Sequence, residues 1–156
     1  MHGAIASPSW NSRGYAATIG RMSLDTVRHD HVALRVADYA ATINWYTEKL
    51  GFTVDLEWTS GELQLAYLSR GSAKIELLAG AGPVPQERFS ALDESFGVER
   101  VHHVCLAVDD LDAALAELTD RDVPLLGEPF VVEEIGRRLA FVEDNAGNLI
   151  ELSAPR

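Results

Sequence analysis

The apolar and polar positions of this chain run through the same succession of patterns twice. His31-Val-Ala-Leu-Arg-Val36 is rich in β-branched and apolar residues and reads as a strand. Asp38 is placed to cap a helix whose apolar face holds Ile43, Trp45, Tyr46 and Leu50, and Gly51 follows its end. Three short strands are predicted next, over 52–58, 63–69 and 74–78. Thr59-Ser-Gly-Glu62 and Arg70-Gly-Ser72 separate them as hairpin turns. A Gly/Pro-rich linker (79–85) and a short predicted helix (86–96) follow, and then the pattern restarts. A strand is expected over 101–108, then a helix over 111–120 capped by Asp109 or Asp110. Strands over 123–133, 137–143 and 148–153 complete it, with Asp144-Asn-Ala-Gly147 as a tight turn.

The halves match residue by residue where it matters. His31-Val-Ala-Leu-Arg-Val36 corresponds to His103-Val-Cys-Leu-Ala-Val108, and seven residues after each His stands an Asp, Asp38 or Asp110. Ile75-Glu-Leu77 corresponds to Ile150-Glu-Leu152. A repeat on this scale sets the architecture. The expected fold is α+β, two tandem βαβββ modules whose curved mixed β-sheets enclose a cleft. A single four-stranded sheet cannot cover its own apolar face, whereas two can shelter one. The expected boundaries are a disordered or extended tail over 1–27 and a domain over 28–155. Within the domain, 28–78 is the first module, 79–100 the linker and 101–155 the second module. Residues 1–24 hold Arg13 and Arg21 but no acid. They read as a tail, or as an upstream stretch before a start at Met22, with a transit-like segment as the alternative.

Composition narrows the function classes. With 13 Lys and Arg against 24 Asp and Glu, the formal net charge is −11. Such a surface repels phosphate backbones, so nucleic acid is not an expected partner. No apolar run approaches the length of a membrane span. Cys105 is the single cysteine, so no internal disulfide can form, which fits a cytoplasmic location.

The candidate chemistry lies in the repeat. Each half puts one His at the start of its first strand and one Glu inside its last. Side chains alternate faces along a strand, so Glu76 and Glu151 project opposite to their Ile and Leu neighbours. A carboxylate buried alone is very costly, and a divalent cation offsets that cost. His31, Glu76, His103 and Glu151 are therefore the expected metal ligands. This mixed N/O set suits one Ni, Zn, Co, Mn or Fe ion and leaves positions for a small-molecule substrate. Alternation places His102 on the face opposite His103. His29 has no counterpart in the second half, and His2 lies in the tail, so none of these three is expected to be a ligand.

With Trp45-Tyr-Thr-Glu-Lys-Leu-Gly-Phe52 and Phe141-Val-Glu-Asp-Asn-Ala-Gly-Asn-Leu-Ile-Glu151 added, residues 30–155 resemble the vicinal oxygen chelate superfamily. It includes glyoxalase I, methylmalonyl-CoA epimerase, extradiol dioxygenases and bleomycin-resistance proteins. The resemblance implies the fold above, a divalent metal, and homodimers whose modules pair within a chain or swap between chains. A Glu at position 76 and Arg35 resemble glyoxalase I, where such an Arg holds a substrate carboxylate. Pairing of Arg35 with a nearby acid is the structural alternative. The Asn-Trp signature of glyoxalase I is missing after Glu76, and the segment before Val101 resembles the epimerase instead. The implied activity is a glyoxalase- or epimerase-type isomerase or lyase that stabilises an enediolate, with Glu151 or Glu76 moving the proton. An extradiol-type dioxygenase using His31, His103 and Glu151 is the alternative. A non-catalytic binder of the bleomycin-resistance type, with Trp45, Trp58 and Tyr67 against a cationic ligand, is the second.

Overall fold

The computed structural model describes residues 27–83 and 88–156. The tail over 1–26 and the linker positions 84–87 lie outside the described residues. Each half forms a helix-backed sheet of four strands. The first contains β1 (Val32–Val36), α1 (Tyr39–Leu50), β2 (Thr53–Ser60), β3 (Leu63–Arg70) and β4 (Ala73–Ala79). The second contains β5 (His103–Ala107), α2 (Leu111–Asp120), β6 (Phe130–Val132), β7 (Arg137–Glu143) and β8 (Leu149–Pro155). Strand orders are β1-β4-β3-β2 and β5-β8-β7-β6. In each sheet the first strand runs parallel to the last, and the remaining pairings are antiparallel. This is the duplicated α+β arrangement expected from the repeat.

Local chemistry starts the two helices in the same way. The Asp38 carboxylate accepts from Ala41 N at 2.9 Å, and that of Asp110 from Ala113 N at 3.0 Å. Asp110, not Asp109, is therefore the second cap. Gly51 ends α1 at φ +66°, where a Cβ would strike the Arg70 guanidinium.

Two segments differ from expectation. The strand predicted over 123–133 reduces to Phe130–Val132, preceded by a lone bridge from Leu125 to Val142. Pro124 and Pro129 lack the N–H that a ladder needs. The helix predicted over 86–96 begins outside the described residues, and its described part forms a 3-10 helix over Leu92–Gly97, whose N-cap residue Ala91 offers no side-chain oxygen.

The helix-facing side of both sheets is one shared core. Leu34, Val36, Leu77 and Ala79 of the first sheet join Ala140, Val142, Ile150 and Leu152 of the second, around Tyr46, Leu50, Leu111 and Leu118. The modules are also cross-linked by polar contacts. Asn145 Nδ2 donates to Thr42 Oγ1 at 2.9 Å, and Arg121 donates to Lys49 O at 2.9 Å. The Tyr46 hydroxyl, in a side chain only 1% exposed, donates to Asp144 Oδ2 at 2.9 Å. Burial, then the Asp144 charge, pushes the Tyr46 phenol well above its ordinary pKa. Asp144 is itself buried in the β7–β8 turn and accepts from Ala146 N and from both the N and Nδ2 of Asn148. Tyr46→Phe removes one donor from a buried carboxylate and should cost about 1–3 kcal/mol. Urea unfolding is the check; a loss below about 0.5 kcal/mol would mean that the bond contributes nothing net.

This packing leaves the other face of each sheet open, and the candidate residues stand on those faces. β2 is phased for it by an irregularity between Val54 and Leu56. Val54 opposes Leu68 on the core side, whereas Leu56 opposes Tyr67 and Trp58 opposes Leu65 on the open side.

Candidate metal centre on two half-sites

Register brings each His and Glu together. β1 pairs in parallel with β4, which sets Glu76 beside Ala33 and near His31, the residue immediately before β1. His31 Nε2 lies 3.1 Å from Glu76 Oε2. In the second module β5 pairs in parallel with β8, and His103 Nε2 lies 3.5 Å from Glu151 Oε2. Both carboxylates are largely buried, Glu151 at 9% exposure. Each imidazole therefore presents one nitrogen to a sheltered carboxylate, a pairing of the donor types that a mixed N/O cation site uses.

The halves do not meet inside one chain. Among the described residues, no three or more His, Cys, Asp or Glu side chains converge as a metal site. The sequence puts the four residues on equivalent positions; the tertiary structure keeps them as two pairs on two open faces.

The surroundings differ between the pairs. His31 Nδ1 lies 2.7 Å from Asp30 Oδ2, and Lys74 Nζ stands 3.6 Å from the same oxygen. These neighbours, first the hydrogen bond with His31 and then the Lys74 charge, hold the Asp30 carboxyl below its usual range. The Tyr67 ring lies 5.4 Å from the His31 ring, with the Trp58 ring 4.9 Å from Tyr67 and Lys74 Nζ 4.1 Å from the Tyr67 ring centre. Beside the second pair Phe141 takes the corresponding place, its ring 5.4 Å from that of His103, with the Phe130 ring 6.2 Å from Phe141. There the Cys105 thiol donates to Glu151 Oε1 at 3.0 Å. Burial, reinforced by Glu151, pushes this thiol up to about 12, so it remains a protonated donor at neutral pH.

Three contacts escaped the sequence reading. Cys105 and Glu151 are 46 residues apart and meet only through the β5–β8 register. His102 does not turn away from His103. It precedes β5, so strand alternation does not govern it, and its Nδ1 lies 2.9 Å from His103 Nδ1. Burial, then the neighbouring charges of His103 and Arg100, hold its pKa below the ordinary value. The Asp30–His31 contact was missed as well. A polar residue directly before each of His31 and His103 was the signal available for both contacts.

Arg35 projects from β1 as expected, yet its partners are carbonyls. It donates to the backbone oxygens of Val36, Leu78, Gly80 and Ala81 at 2.7–3.1 Å, which clamps the chain leaving β4. It pairs with no acid in these contacts. Trp45 belongs to the α1 packing layer, not to an open face. Among the described residues no helix is long and apolar enough to cross a membrane.

Two helix-backed sheets of matching order, each carrying a His/Glu pair on its open face, define the class as a duplicated βαβββ protein. The chain belongs to the Glyoxalase/Bleomycin resistance protein/Dioxygenase superfamily, which it matches over residues 28–152. Similar curated proteins include the mitochondrial methylmalonyl-CoA epimerase of Bos taurus, 28% identical over 94% of this chain and 77% of its own. A probable lactoylglutathione lyase of Synechocystis is 29% identical over 78% of this chain and 91% of its own. Among solved structures, a glyoxalase family protein from Enterococcus faecalis superposes with TM-score 0.69 at 25% identity. That match covers 83% of this chain and 99% of the other.

Proposed function

We propose that this protein is a metal-dependent isomerase or lyase of the glyoxalase and epimerase kind, with its full site formed between two copies of the chain. The carrying observation is the equivalence of the two pairs, each a His Nε2 facing a sheltered carboxylate across 3.1 or 3.5 Å. A second copy would bring His31 and Glu76 of one open face against His103 and Glu151 of the other, giving two N and two O donors. β1 and β5 end their sheets with one side unpaired, and Leu56 and Phe130 remain exposed on the open faces. Such edges and apolar patches favour association.

Ni, Zn, Co, Mn or Fe fits this donor set, and a bound divalent ion supplies Lewis-acid polarisation of a substrate carbonyl. The chain supplies the rest. Glu151 and Glu76 approach the substrate from opposite modules and are the groups that take and return the proton on the adjacent carbon. Cys105 holds one Glu151 oxygen, which leaves the other for that task. Trp58 and Tyr67 wall the first module's side and exclude water from it. Arg35, whose guanidinium donates to neutral backbone carbonyls, is the candidate for a substrate anion. Trial substrates are methylmalonyl-CoA and lactoylglutathione, the molecules in the names of the relatives.

Elemental analysis of protein purified without chelator, beside His103→Ala, tests the site. About one divalent ion per chain is expected in the parent, with most of it lost in the variant. No ion in the parent after incubation with Ni, Zn, Co, Mn and Fe would overturn the metal reading.

A further inference from the structure

We propose that His102 is a positioning residue that sets the tautomer of His103, so that His103 offers a bare Nε2 to the cation position. The inference rests on the four-residue site proposed above, but its logic begins in the linker helix, outside that site. Ser95, fully buried, places its Oγ 2.5 Å from Leu92 O. A carbonyl oxygen only accepts, so the hydroxyl hydrogen lies in that contact. Ser95 Oγ must then act as acceptor toward His102 Nε2, 2.8 Å away, which places the His102 hydrogen on Nε2.

Neutral His102 is left with a bare Nδ1 facing His103 Nδ1 at 2.9 Å. Two bare nitrogens at that distance repel, so His103 carries its hydrogen on Nδ1 and its Nε2 is bare. That nitrogen faces Glu151 Oε2 at 3.5 Å, a lone pair opposite a carboxylate and too far for a hydrogen bond. The arrangement suits a cation between them. The His102 ring is fixed on other sides too. Phe96 stacks on it at 5.1 Å and 5°, and Phe141 stands edge-on to both imidazoles.

The first module does the same thing with different chemistry. Asp30 Oδ2 can only accept, so His31 also carries a hydrogen on Nδ1, which leaves Nε2, 3.1 Å from Glu76 Oε2, as its nitrogen at the cation position. In both halves the residue directly before the ligand His does the orienting, a carboxylate in one and an imidazole in the other. A carboxylate makes its imidazole the more electron-rich donor, so the two halves are unequal ligands.

The test begins with histidine-labelled, metal-free protein and a two-bond ¹H–¹⁵N spectrum at neutral pH. His103 is expected as the Nδ1–H tautomer and His102 as the Nε2–H tautomer. In Ser95→Ala, His102 loses its acceptor and both rings should become tautomer mixtures. Zinc affinity by chelator competition should fall about 10–100-fold in His102→Phe. It should stay near the parent value in His102→Asn, whose amide oxygen still accepts from His103. His103 found mainly as Nε2–H in the parent, or undiminished affinity in His102→Phe, overturns the proposal. The expected tautomers in a protein that takes up no zinc would instead sink the metal reading and leave the relay intact.

Discussion

Glu151→Gln should fold like the parent and lose turnover by about 10²–10⁴-fold on whichever trial substrate the parent converts. The amide keeps the shape of the carboxylate, and its oxygen still accepts from the Cys105 thiol. What it lacks is a basic oxygen to take a proton from carbon. The measurement is steady-state kinetics together with deuterium uptake from solvent into the substrate, and circular dichroism checks the fold. Turnover and exchange within about threefold of the parent would remove Glu151 from proton transfer. Glu76→Gln completes the comparison. Glu151 is held by Cys105 and faces His103, whereas Glu76 faces His31. Exchange surviving one substitution and not the other would identify which carboxylate takes the exchanging proton.

A dimer of one His31→Ala chain and one His103→Ala chain, purified through two different tags, should recover activity that neither variant has alone. If each site draws one pair from each copy, one site of the mixed dimer contains both substitutions and the other contains none. The mixed dimer should then hold about half the metal and half the turnover of the parent. Each variant's own dimer damages both sites and should hold little. If the modules close on each other within one chain, every site in the mixed dimer keeps one substitution and no recovery occurs. This experiment separates the two pairings without knowledge of the natural substrate, because metal content reads the outcome.

Much of this protein was determined by the order of its residues. Strand and helix patterns are local, so periodicity, the Asp38 and Asp110 caps and the Gly51 stop locate α1, α2 and most strands to within a residue or two. The repeat places His31 with Glu76 and His103 with Glu151, because a parallel first and last strand follows from the βαβββ order. Prolines at 124 and 129 carried the warning that the strand predicted there would be cut short.

The tertiary structure decided what depends on distant contacts. Tyr46 and Asp144 lie 98 residues apart, and their burial together helps direct both helices into a shared core and both open faces outward. That packing, which no local pattern encodes, is why four matching residues form two pairs in one chain. The Cys105 bond to Glu151 exists only in the sheet register, and the turn of His102 toward His103 follows from Ser95 reaching back from the linker. Periodicity reports which face a residue occupies. It carries no information about which neighbour will hold a proton there, because that is settled by side-chain atoms a few ångströms apart and often many residues distant in the chain.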